Sequence, residues 1–396
     1  MKVTFFSNFL NHHQLPFCLE MQKRLGDNFK FVATEEIPKE RLSLGYDDMN
    51  NLYDFVVRSY ENEEEAYKLG KESDVVIIGS APTKYIKERL KQKRLTLRYS
   101  ERIFKNGFNL RTWLSLIKNF TIPERKNIYL LCSSAYSASD FNLAGSYINR
   151  CFKWGYFPKT YEYDIDELLA KKENNKIVEI LWCGRLIDWK HPEYLIEVAK
   201  RLKKDKIKFN IKVVGNGELM DSLNDSIIEN KLQKEVKLLG SVNNKEVRSY
   251  MEKADIYLFT SDYGEGWGAV LNEAMNSGCA VVASHAIGSV PFLIDNNKNG
   301  LVYDNDSIDD LYEKTKELIT NETKRKNISK NAYLTINTKW NAEVASDRLL
   351  KLINNLQNNI KTDIFKDGPC SKAENIKQGK MYNYIIGNKN DKKSNK

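Results

Sequence analysis

The chain has 396 residues, 41% of them hydrophobic, and a formal net charge of +9. That length exceeds one ordinary domain and suits two, and the apolar content supplies two cores, which excludes a disordered or fibrous chain. The charge is uneven: residues 84–126 hold thirteen Lys/Arg against three Glu, and residues 361–396 nine Lys against four acids. An anionic partner surface is expected near the first segment.

The chain begins on an apolar strand, "KVTFF", with no basic-then-apolar leader before it, so no secretory signal is expected. No apolar run approaches the roughly 20 residues of a membrane-spanning helix. Cys18, Cys132, Cys151, Cys183, Cys279 and Cys370 share no C-x-x-C spacing and read as buried free thiols of a cytoplasmic protein. No zinc spacing occurs, so no metal is assigned.

Residues 1–160 alternate strands with helical patterns. "KVTFFS", "FKFVAT", "DFVVRS", "DVVIIGS", "RLTLRYS" and "IYLLCSS" read as strands, and "LPFCLEMQKRLG" as a helix ended by Gly26. Such alternation implies parallel βαβ units. Residues 161–176 are polar and charged and read as a linker. The alternation restarts over 177–335 with "IVEILWCG", "FNIKVVG", "EVKLLGS", "DIYLFTS" and "CAVVAS" as strands. "PEYLIEVAKRLKK", with Pro192 in its first turn, "VRSYMEKA" and "AVLNEAMNS", stopped by Gly278, are helices. Residues 336–360 form a last amphipathic helix, and 361–396 a disordered basic tail in which "MYNYII" (381–386) could dock. The fold class is therefore α/β with two Rossmann-like domains facing a cleft, and that cleft is the default ligand site.

Three features carry chemistry. In "DYGEGWGAVLNEAMNSGCAVVAS" (262–284), Glu265 lies in a glycine-rich turn at a strand's carboxyl end and Glu273 in the following helix. Helix-terminal amides in such a turn favour phosphate, and a carboxylate accepts two hydrogen bonds from a vicinal diol. A helix start with two solvated acids is the competing reading. In "CGRLIDWKHPEYLIEVAKRL" (183–202), Arg185 and Lys190 sit between strand and helix, where two cations would clamp a diphosphate, unless they are ordinary surface charge. After the first strand, "SNFLNHHQLPF" replaces a G-x-G-x-x-G, so no dinucleotide site is expected there.

"CGRL", "VVGNGEL" (213–219), "LLGSV" (238–242), "EGWGAVLNEAMNSGCAVVAS" and "GSVPFLIDNNKNGLVY" (288–303), in that order, resemble the C-terminal half of family-4 retaining glycosyltransferases of GT-B fold. "NHHQ" (11–14) and "RYSER" (98–102) are similar, more loosely, to the branch that builds bacterial capsule and exopolysaccharide. The resemblance implies a retaining, metal-independent, hexosyltransferase-like enzyme without a cofactor, acting on a nucleotide sugar and a glycan or lipid-linked acceptor. It also implies a C-terminal helix that crosses back to the N-terminal domain. Glu265 would hold the donor sugar and Glu273 its ribose. Arg185 and Lys190 would neutralise the diphosphate, with the amides around Trp267, Gly268 and Ala269. Gly215, Asn216, Val242 and Gly266 would border sugar and base. Trp267 stands where the family commonly has Phe.

The first half departs from the family pattern. Ser100 and Glu101 stand where many members have His-Asp, and they are acceptor-side candidates. His12 and His13 could take over as acceptor-side contacts or as proton acceptor; alternatively one caps the next helix and the other is exposed. The basic stretch 84–126 also carries Tyr85, Tyr99, Phe104, Phe108, Trp113 and Phe120, which suits peripheral contact with an anionic membrane rather than nucleic acid. A GT-B nucleotide-sugar epimerase, or a sugar-nucleotide-binding or membrane-scaffold protein impaired in catalysis, remain alternatives.

Overall fold

The computed structural model describes residues 1–43, 47–124, 127–173 and 177–376. The chain forms two compact units, one of Met1–Lys159 with Trp340–Ile376, the other of Thr160–Lys339. Each is a parallel sheet flanked by helices.

In the first unit the strands are β1 (Val3–Ser7), β2 (Phe29–Ala33), β3 (Val56–Arg58), β4 (Val75–Ile78), β5 (Thr96–Ser100), β6 (Ile128–Cys132) and β7 (Cys151–Lys153), ordered β3-β2-β1-β4-β5-β6-β7. In the second they are β8 (Val178–Cys183), β9 (Phe209–Val214), β10 (Val236–Gly240), β11 (Ile256–Phe259), β12 (Ala280–Ser284) and β13 (Leu301–Tyr303), ordered β10-β9-β8-β11-β12-β13. Central strands such as "VVII" and "AVVAS" are buried at every residue, as a sheet covered on both faces requires. Both strand orders reverse direction once, at β1/β4 and at β8/β11. Loops leaving the carboxyl ends of those strands line the crevice where open α/β sheets bind ligands.

Four expectations are corrected. The segment 161–176 is not a bare linker: residues Ile165–Glu173 are a helix of the second unit. Its Lys172 is fully enclosed, and the ammonium donates to the carbonyls of Ala254 (2.7 Å), Ser277 (2.8 Å) and Gly278 (2.9 Å). The last helix does not run unbroken from 336. One helix ends at Thr338, and a second, Ala342–Gln357, starts where Asn341 Oδ1 accepts the Val344 amide. This second helix returns to the first unit, where Asp347 pairs with Arg24 of helix Leu15–Leu25 at 2.8 Å.

Residues 361–376 of the expected disordered tail are instead ordered. Cys370 and Ala373 donate their amides to Lys153 and Cys151 carbonyls, extending the sheet antiparallel beyond β7. "MYNYII" lies outside the described residues. β7 itself is short and hidden in the aromatic "FKWGYFP", whose Trp154 and Phe157 pack on Phe17.

Three arginines of the basic stretch, Arg89, Arg98 and Arg102, are internal, while Lys84, Lys87, Lys91 and Lys93 are exposed. Arg89 is buried and donates to the carbonyls of Ser73, Asp74 and Leu95. Arg98 pairs with buried Glu124, which also accepts from Tyr147. Arg102 lies over the Tyr136 ring. These arginines are therefore not available to a membrane. Five cysteines are buried, Cys183 is partly so, and all six are free. No helix among the described residues is long and apolar enough to cross a membrane.

Candidate active site

The loops after β8 and β11 are stitched together before any ionic contact is made. Thr260 Oγ1 accepts from Trp182 Nε1 (2.9 Å) and donates to the Lys190 carbonyl (2.6 Å). The Asp262 amide donates to the Trp189 carbonyl at 3.0 Å. This brings Lys190 Nζ to 2.6 Å from Glu265 Oε2, with both side chains 13% exposed. Ser261 Oγ donates to the same oxygen at 3.2 Å, and Lys190 also lies over the Trp189 ring. Arg185, in the same loop as Lys190, is exposed.

Glycines set the backbone around this pair. Gly268 has φ +79°, and a Cβ there would sit 2.5 Å from Phe259 Cζ. Gly215 has φ +136°, and its Cβ would fall 1.8 Å from the Gly184 carbonyl oxygen. Only glycine tolerates both demands. The close approach lets Gly184 donate to Val214, Gly215 to Gly240 and Leu186 to Asn216, so three strand-end loops lie edge to edge. Asn216 is exposed there and Val242 half-buried.

Glu273 lies in helix Val270–Asn276, which turns Leu271 and Met275 into the core. Burial raises its carboxyl above the ordinary value against the opposing charge of Arg248. Burial raises the Tyr257 hydroxyl, and the charges of Glu265 and Glu273 push it further, so both carboxylates act on one hydroxyl. Tyr257 donates to the Cys183 carbonyl at the end of β8. The structure thus gathers Lys190, Glu265 and Glu273 at the carboxyl ends of β8 and β11.

Trp267 is different. Its side chain is fully buried, and Nε1 donates to Asn272 Oδ1 at 2.9 Å. The ring is core, so only its backbone lies on the turn with Gly266, Gly268 and Ala269. The first amides of a helix have no intrahelical acceptor, which keeps this turn suited to an anion.

In the first unit, the loop after β1 holds His12 and His13 with ring centroids 3.7 Å apart. Neither caps the next helix. The turn before that helix is closed instead by Asn11 Oδ1, which accepts the amides of His13 (3.0 Å) and Gln14 (3.1 Å). Burial, then Arg41, lowers His12 to about 4; burial, His12 and Arg41 lower His13 strongly. Both rings are neutral at pH 7, and His13 Nδ1 is buried without a hydrogen-bond partner among the described residues.

Tyr156, which sequence reasoning missed, links this loop to the one after β5. Its ring lies 5.8 Å from that of His13, and its hydroxyl donates to Glu101 Oε1 at 2.8 Å. Glu101 also pairs with Lys105, and Ser100 Oγ donates to the Glu101 carbonyl. Sequence reasoning also missed Thr260, Arg248, and His191, whose ring nitrogens contact Glu193 and Asp262. These residues stand in no recognisable spacing; only strand order brings them to the site.

Residues 164–335 match the family described as glycosyl transferases group 1. That segment is a glycosyl transferases group 1 domain. Over 151 residues, 38% of this chain, the sequence is 33% identical to an uncharacterized glycosyltransferase of Methanocaldococcus jannaschii, covering 41% of that protein. Over 238 residues, 60% of this chain, it is 26% identical to the N-acetylgalactosamine-N,N'-diacetylbacillosaminyl-diphospho-undecaprenol 4-alpha-N-acetylgalactosaminyltransferase of Campylobacter jejuni, covering 56% of it. The chain thus spans about half the length of these curated relatives. HepE of Anabaena, solved in complex with UDP, matches 90% of this chain and 100% of its own with a TM-score of 0.67 at 17% identity. That likeness shows the fold: two Rossmann-like α/β domains of GT-B type.

Proposed function

We propose that this protein is a retaining, metal-independent glycosyltransferase of polysaccharide assembly, of the capsule or exopolysaccharide kind. It moves a hexose-like sugar from a nucleotide-sugar donor to a hydroxyl of a glycan or lipid-linked glycan, on the inner face of the cytoplasmic membrane. The observation that carries this reading is the Lys190–Glu265 pair at the β8/β11 switch point, beside exposed Arg185 and half-buried Glu273.

Lys190 and Arg185 hold the diphosphate and stabilise the charge it gains as the sugar C1–O bond breaks. Glu265 accepts from sugar hydroxyls and Glu273 from the ribose diol. Gly215, Asn216 and Val242 border the base. The acceptor oxygen bonds to C1 on the face the diphosphate leaves, and its proton passes to the leaving phosphate oxygen. His12, His13, Ser100 and Glu101 serve the acceptor. The reaction as drawn uses no resident cofactor, since both reactants are substrates. Support also comes from HepE, solved with UDP, and from the Campylobacter relative, whose name specifies an undecaprenol-linked acceptor.

The test is a thermal-shift panel of nucleotide sugars, since a ligand that binds the native state raises its stability by mass action. One donor is expected to raise the melting temperature of the wild type. A flat response across the panel would sink the donor-site assignment.

A further inference from the structure

We propose that the face formed by residues 104–122 and 141–148 of the first unit docks on an anionic lipid bilayer. Phe108, Leu110, Leu114, Ile122, Leu143 and Ile148 are each between 53% and 62% exposed. Leu110 and Leu114, four apart, share one side of helix Leu110–Leu116. The two segments are joined. Trp113 Nε1 donates to the Leu143 carbonyl (3.0 Å), and Thr121 Oγ1 to the Ala144 carbonyl (2.8 Å). Phe120 packs edge-on against Phe141. Six large apolar side chains on one joined surface exceed the scattered exposure of an ordinary solvated face.

The charge on this face has one sign. No acidic residue occurs between Glu101 and Glu124, or between Asp140 and Lys153. Glu124 is buried against Arg98, and Asp140 is buried, accepting the amides of Ile103 and Phe104. Arg111 and Lys118 are exposed. Protruding Leu, Ile and Phe rimmed by cations, with no outward carboxylate, complement a bilayer with anionic headgroups. A protein interface instead tends to be depleted in lysine.

The purpose of the docking rests on the lipid-linked-acceptor reading. The Glu101–Lys105 pair ties the root of this face to Tyr156 and His13 in the same unit. The docking itself is tested without that reading, by flotation of the full chain with phosphatidylcholine vesicles, with and without phosphatidylglycerol, alongside UDP titration of the same samples. Wild type is expected to float with the anionic vesicles, to be released by high salt, and to bind neutral vesicles weakly. Leu110→Ser/Leu114→Ser and Arg111→Glu/Lys118→Glu should each lower flotation by roughly tenfold or more. UDP affinity should stay unchanged. Equal flotation of wild type and both variants, or none by wild type, overturns the proposal. So does a wild-type dimer that Leu110→Ser/Leu114→Ser dissolves, which would give the face to a second copy. Flotation as expected with no UDP binding upholds the docking and counts against the donor reading alone.

Discussion

The Lys190 ammonium and the Glu265 carboxylate, 2.6 Å apart, come from loops after different strands and form an ion pair. A diphosphate arriving at Lys190 must compete with Glu265 for it. Glu265→Gln removes that competition and also removes the carboxylate proposed to hold the sugar. The variant is expected to bind UDP at least as tightly as wild type by calorimetry, yet to transfer sugar roughly 100-fold more slowly. Weaker UDP binding together with normal transfer would reverse the two roles.

Glu273 gives a pH signature. Burial favours its neutral form, and Arg248 only partly offsets this. A ribose diol donates best to the ionised carboxylate. Donor affinity should therefore begin to fall, as pH drops, at a value above the 4.5 of an ordinary Glu. Glu273→Gln should bind more weakly at neutral pH and show a flatter profile. Identical profiles for variant and wild type would remove Glu273 from the ligand.

His12 gives a second pH signature, in stability. Its value of about 4 in the fold lies below the 6.5 of a free histidine, so the unfolded chain binds more protons between those values. Stability from this group is complete above 6.5 and is lost as pH falls from there toward about 4. Urea unfolding of His12→Gln should show a shallower acid loss than wild type.

The buried pair Arg98–Glu124 supports the sheet through β5 and the segment before β6. Arg98→Met leaves Glu124 enclosed without its counter-charge and should cost about 3–5 kcal/mol. Arg98→Met/Glu124→Leu should recover most of that loss. An Arg98→Met cost below about 1 kcal/mol would return this arginine to the surface role its sequence context suggested.

Periodicity made the long buried strands and the amphipathic helices legible, because a parallel sheet covered on both faces needs continuous apolar runs. The glycine turn at 264–268 and the basic loop at 185–190 were legible as local patterns. Two kinds of feature were not. β7 has three residues, too few for a period, and its aromatic neighbours masked it. Arg89, Arg98, Arg102 and Lys172 looked like surface charge because composition counts charges without their partners. Each meets carbonyls, a carboxylate or an aromatic face supplied by another element. Tyr156 was likewise invisible, since its partner Glu101 lies 55 positions away.

Lys172 tests that lesson most directly, because Lys171 beside it is its control. The Lys171 side chain is 69% exposed and pairs with Glu167 one turn away, a surface pair contributing well under ~1 kcal/mol. Lys172 is enclosed where two helices end. Ser277 and Gly278 follow the helix that carries Glu273, and Ala254 follows helix Asn244–Lys253. Both helix dipoles favour a cation there. Lys172→Met keeps the chain length but strands the Ser277 and Gly278 carbonyls without a donor and leaves Ala254 only the Cys279 thiol, so it should cost about 3 kcal/mol or more by urea unfolding. Lys171→Met should change stability by no more than about 0.5 kcal/mol. Because the stranded carbonyls adjoin the Glu273 helix, Lys172→Met should also weaken UDP binding at a temperature where the protein is still folded. Equal stability of the two variants would mean that water replaces the ammonium and that the segment is a linker after all.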